Sequence, residues 1–173
     1  MKILATFDAS PCGEAILPQL EEMAHMPGAE VTLLSVVKPP PATPQRAVDV
    51  QTLKAATGST TAAVVIEGPA VEFAEDRTEA IARAVHERID YLRTLALRLP
   101  ATTRTQTVAL VDPSPGSAII RYAMQHRPDV IVMGTHGQSG IIHRVFGDVA
   151  EEVVRSGVAP VLLVQPDAAR RRD

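Results

Sequence analysis

Only one cysteine, Cys12, stands in the 173 residues, so no internal disulfide framework holds this chain, and a reducing compartment suits it. Tryptophan is absent and aromatic residues make up 3% of the chain, against a hydrophobic fraction of 46%. The core must therefore be built from Val, Ile, Leu and Ala, the side chains that let helices pack on a parallel sheet. No run approaches the roughly 18 apolar residues of a membrane span. The opening MKILATFDAS does not read as a signal peptide, because Asp8 breaks its apolar stretch after a few residues. Net charge is −3 with no domain-scale basic patch, which argues against nucleic acid as the main partner. The expectation is a soluble, cytoplasmic protein. Its one basic cluster, ARRRD, belongs to a solvated tail over 166–173.

What is present alternates. ILATF (3–7) is a buried-strand candidate that ends at Asp8. Ser10 and Pro11 open a helical pattern carrying Ile16, Leu17, Leu20 and Met23, which Pro18 should bend or shorten. EVTLLSVV (30–37) is a second strand. A long amphipathic helix places Ile81, Val85, Ile89, Leu92, Leu95 and Leu99 on one face, and Asp76 with Glu79 resembles a capping box at its start. TQTVALV (105–111) is a third strand; Ser114 and Pro115 start a helix that Pro128 terminates. VIVM (130–133) and PVLLV (160–164) are the fourth and fifth strands. A helix over 148–156 lies between them and is stopped by Gly157.

Between the second strand and the long helix the pattern lapses. KPPPATPQR can be neither a helix nor a central strand, and 38–77 is long for a loop in a compact domain. It reads as an irregular insertion in a single domain over 1–165, with TAAVVIEG (61–68) a short strand or hairpin within it.

Apolar strands alternating with helices mean an α/β fold, a parallel sheet with right-handed crossovers and helices on both faces. Such sheets bind ligands beyond the carboxyl ends of their strands, where the winding reverses. Asp8 and Gly134 both leave strand carboxyl ends, and they face one cleft if the first and fourth strands are neighbours.

The stretch GTHGQSGIIHRVFGD (134–148) joins the fourth strand to a helix start, the usual setting of a phosphate cradle. Gly134, Gly137 and Gly147 match the first three fixed positions of the G-x2-G-x9-G-(S/T) pattern of the universal stress protein family. DVIVMGTHGQSG, APVLLV and ILATFDAS fit too, so 1–37 and about 78–165 resemble that family. The resemblance implies a Rossmann-like doubly wound five-stranded parallel sheet of order 3-2-1-4-5. It further implies that Asp8 and the main chain of Val36 handle adenine and ribose, while the loop of Gly134, Gly137 and Gly147 surrounds phosphates. Physical reasons agree: glycines let N–H groups approach phosphate, and the helix starting at Asp148 and Val149 aims its positive end there. Ser139 and Gln138 can donate hydrogen bonds, and Arg144 can reach phosphate as a cation.

Asp148 departs from the pattern, since an ionised carboxylate has no proton to donate where the family places Ser or Thr. Like charges ~4 Å apart at an effective dielectric of ~20 repel by about 4 kcal/mol. Three readings stay open: Asp148 is simply an N-terminal helix cap; Mg²⁺ bridges it to phosphate; or the ligand is AMP, whose single phosphate stops short. His136 and His143 with Asp148 match no recognised metal motif, and no metal site is expected.

The leading expectation is a stress-response module binding ATP, ADP or AMP with little or no catalysis, since no general base or arginine finger is evident. The alternatives are a non-nucleotide dimeric interaction module and a metal-assisted slow nucleotide hydrolase. Hydrolase chemistry of the Ser-His-Asp kind is not expected, as no G-x-S-x-G elbow is present. The apolar last strand is an edge that invites pairing with a second copy. The family commonly dimerises through that strand, so a homodimer through 158–165 is expected.

Overall fold

The computed structural model describes residues 1–11, 13–40, 77–135 and 147–165. The expectations for Cys12, the 38–77 insertion with its hairpin, Asp76, the loop residues 136–146 and the 166–173 tail fall wholly or largely outside the described residues. Gly137 and Ser139 are among these.

Among the described residues, five strands form one sheet: β1 (Lys2–Phe7), β2 (Glu30–Val37), β3 (Arg104–Val111), β4 (Val130–Gly134) and β5 (Val161–Val164). All neighbouring pairs run parallel, and the order is β3-β2-β1-β4-β5. Four α-helices connect them: α1 (Leu17–Ala24), α2 (Arg77–Ala96), α3 (Pro115–His126) and α4 (Asp148–Ser156). This is the parallel α/β sheet expected from the apolar runs, in the Rossmann-like order that the family resemblance implies, with β1 and β4 side by side where the winding reverses.

The pleat divides the core in two. On one face Ile3, Ala5, Val31 and Leu33 pack with Leu17 and Leu20 of α1 and Leu92 and Leu95 of α2. On the other, Leu4, Leu34 and Ile131 pack with Ile119 of α3 and Ala150 and Val153 of α4. Helices α2 and α4 thus approach the carboxyl edge of the sheet from opposite faces.

Local chemistry sets the helix ends. The first helical segment does not begin at Ser10, as its N-cap pattern suggests. A 3-10 turn occupies Gly13–Ile16, and the α-helix starts only at Leu17. Pro18 is the reason: without an N–H it cannot sit in a helix interior, and here it occupies the first turn. Proline also ends α3, since Arg127 before Pro128 is driven from the helical region and caps in the left-handed one (φ 49°). Gly157 closes α4 at φ 62°, as its position implies.

Candidate functional site

The site begins where β1 ends. The buried Ser35 hydroxyl donates to the Phe7 carbonyl at 2.6 Å, tying the carboxyl ends of β1 and β2 together. The next residue, Asp8, is held by its own loop. Its Oδ1 accepts from the Ser10 amide at 3.0 Å and from the Ser10 hydroxyl at 2.6 Å. The same hydroxyl accepts from the Gly13 amide at 3.0 Å, starting the 3-10 turn. Ala9 between them adopts φ 59°, a left-handed conformation that costs an L-residue roughly 1–2 kcal/mol. The result is a carboxylate of fixed orientation at a strand end.

The second wall is the stem of the glycine loop. The Thr135 amide donates to the Val164 carbonyl at 3.0 Å, and the Gly147 amide donates to the Thr135 carbonyl at 2.7 Å. The loop therefore leaves and rejoins the sheet at one point, and α4 starts there. Gly147 is the N-cap of α4, with extended backbone (φ −70°, ψ 155°), and Asp148 is the first helical residue. The reading of Asp148 as the cap is corrected accordingly. Its charge still suits the first turn, where the helix dipole is positive. Asp148 is exposed, Val149 half-buried and Ala150 buried.

Between these walls lies an open cleft of about 800 Å³, within the range of small-molecule sites. Asp8, Val36, Gly134, Gly147, Asp148 and Val149 all line it. The structure thus brings together the six described members of the residue set named from sequence.

Gly13, Lys38, Arg88 and Thr135 are among the lining residues that the sequence does not mark as part of a site. Gly13 is required by packing, because a Cβ there would stand 2.5 Å from Asp8 Oδ1. Arg88 is nonetheless marked in the sequence itself. It sits between Val85 and Leu92 on the apolar stripe of α2, where a charged residue is out of place. Near it, the Tyr91 hydroxyl donates to Glu14 Oε1 at 3.1 Å. Burial, then the charge of Glu14 and its hydrogen bond, then the charge of Asp8 hold the Tyr91 phenol far above its ordinary range, while the charge of Arg88 acts the other way.

Chemically, the cleft offers a fixed carboxylate, strand-end and helix-start amides, and two cations. No histidine or cysteine is among the described residues that line it. Among the described residues, no group of three or more His, Cys, Asp or Glu side chains could hold a metal ion. No helix among them is long and apolar enough to cross a membrane.

Comparison with known proteins agrees with this architecture. A universal stress protein of Methanocaldococcus jannaschii is 36% identical over 56 residues, covering 32% of this chain and 33% of that protein. One of Thermus aquaticus is 33% identical over 87 residues, covering 50% of this chain and 62% of that protein. The matches thus span a third to under two thirds of those relatives. Among solved structures, the hypothetical protein MJ0577 superposes with a TM-score of 0.70 at 20% identity, covering 96% of both chains. A universal stress protein in complex with cAMP gives 0.55 at 16% identity, covering 96% of this chain and 98% of its own. One from Archaeoglobus fulgidus in complex with dAMP gives 0.50 at 20%, covering 95% and 97%. At these identities the structural likeness speaks for the fold. The model of the universal stress protein family matches residues 1–165, and the chain belongs to that family.

Proposed function

We infer that this chain is a regulatory module that binds an adenine nucleotide in the cleft, with little or no catalysis. The observation that carries the reading is the convergence of two strand ends. Asp8 after β1 and the Gly134–Gly147 stem after β4 line one cleft at the reversal of the sheet. In this reading Asp8 accepts hydrogen bonds from ribose hydroxyls and the main chain of Val36 lies against adenine. The phosphate rests on the loop of Gly134, Gly137, Ser139 and Gly147 and on the amides of Asp148 and Val149 at the start of α4. The complexes of two similar folds with cAMP and dAMP support the adenine and monophosphate parts.

In this reading Asp148 disfavours longer phosphate chains, and its carboxylate would be the chain's ligand to a Mg²⁺ ion, whose charge would offset the repulsion. Calorimetric titration with AMP, ADP and ATP, with and without Mg²⁺, tests the reading. Dissociation constants below ~1 mM are expected, with ATP gaining most from Mg²⁺; no binding of any of the three at that level refutes it.

The same reading includes a homodimer through 158–165. It is supported by the edge position of β5 and by Leu162, an apolar edge residue that is 37% exposed. A monomeric mass at micromolar concentration in solution counts against the dimer.

A further inference from the structure

We propose that Arg88 is a second anion-binding position of the cleft, holding a phosphate esterified to the 3′ oxygen of the ribose, a 3′,5′-cyclic phosphate included. The proposal rests on the adenine-nucleotide reading and adds to it a specificity that the glycine loop does not supply.

Three observations carry it. Among the described residues, Arg88 Nη1 is the buried side-chain nitrogen or oxygen atom left without a hydrogen-bond partner. A buried donor on a charged group is costly unless an acceptor reaches it. Second, Arg88 lines the cleft, so a ligand can bring that acceptor. The position is otherwise unexplained, since α2 buries Leu92 and Leu95 on the same stripe.

Third, the charges divide across the sheet. Arg88 comes from α2, on the face of α1, and Lys38 follows the carboxyl end of β2; both line the cleft. Asp148 begins α4 on the opposite face. Asp8 and Arg88 both lie near enough to Tyr91 for their charges to act on its hydroxyl. In this placement a ribose keeps its 2′ hydroxyl on Asp8 and turns its 3′ oxygen toward Arg88, while its 5′ chain runs to the Gly134–Gly147 stem. A plain hydroxyl there offers Nη1 a single neutral acceptor. A phosphate accepts two parallel hydrogen bonds from the guanidinium and lies away from Asp148.

The test compares adenosine, adenosine 3′-monophosphate, adenosine 5′-monophosphate and 3′,5′-cyclic AMP on the wild type, Arg88→Gln and Arg88→Lys. In the wild type a 3′-linked phosphate, linear or cyclic, should improve affinity over adenosine by about tenfold or more. Arg88→Gln should erase that gain and change 5′-AMP binding less than about threefold, and Arg88→Lys should retain part of it. Comparing the linear with the cyclic ester identifies which form the position prefers. A 3′ gain that survives in Arg88→Gln overturns the proposal, as does a wild type that binds 5′-AMP but shows no 3′ gain. A wild type that binds none of the four overturns the nucleotide reading itself, which keeps the two failures apart. The wild-type ligand comparison stands even if a variant fails to fold.

Discussion

Gly13 lies so close to Asp8 that a Cβ at position 13 would stand 2.5 Å from the Asp8 Oδ1 carboxylate oxygen. That oxygen is already fixed by the amide and hydroxyl of Ser10. Gly13→Ala must therefore turn the carboxylate and break at least one of those bonds. AMP affinity should fall about tenfold or more, and stability by about 1–2 kcal/mol. Titration and chemical denaturation of the variant check both; unchanged AMP affinity would show that the orientation of Asp8 does not matter.

On the proposed reading, Asp148 limits the length of the ligand's phosphate chain. Its exposure places its charge in a medium closer to water than to the protein interior, so each unit charge at ~4 Å costs nearer ~1 kcal/mol than ~4. Asp148→Ser should raise ATP affinity about tenfold without Mg²⁺ and AMP affinity by less than about threefold. Titrations with the two nucleotides decide it, and equal gains for both would contradict the repulsion argument.

Ala9 bears strain that no side chain requires. At φ 59° it occupies a region that glycine enters freely. Ala9→Gly relieves roughly 1–2 kcal/mol of strain but adds freedom to the unfolded chain. The net result should be a gain of about 0.5–1 kcal/mol in denaturant unfolding.

Asp112 makes the start of α3 sensitive to acid. The backbone bond from the Ser114 amide at 2.7 Å, followed by the bond from Arg121, holds its carboxyl below the ordinary value of 3.8. A depressed folded-state value means that the contribution is present above the unfolded value and lost as pH falls through the folded one. The stability difference between the wild type and Asp112→Asn should be constant above pH ~5 and shrink below pH ~4. Denaturation curves across that range test it; a difference that grows on acidification would reverse the sign.

The sheet was legible because β1, β2, β4 and β5 are short, largely apolar runs, as both faces of a parallel sheet require, while the edge strand β3 showed itself by its apolar second half after Arg104, Thr105, Gln106 and Thr107. Helix α4 was legible because Gly157 can end a helix where few residues can. The start of α1 was misplaced because Ser10 and Pro11 look like a cap, while the constraint that decides the matter is Pro18 seven residues further on. On the site, Asp8 and the glycines announced themselves by residue type and by position after strands. Gly13 and Arg88 did not, because their importance arises from what another element brings against them. A glycine four residues before an ordinary helix draws no notice until the Asp8 carboxylate is seen beside it. An arginine on an apolar stripe looks like an irregularity until the cleft is known.

The central claim is that an adenine nucleotide occupies the cleft between the β1 end and the β4 loop. Amide chemical-shift mapping by NMR during titration with AMP tests it most directly. The account predicts saturable shifts concentrated at Asp8, Val36, Gly134, Gly147 and Val149, with Leu97 and Met124 on the outer surface unmoved. Shifts confined to residues away from the cleft, or no saturable shifts up to ~1 mM AMP, would contradict it.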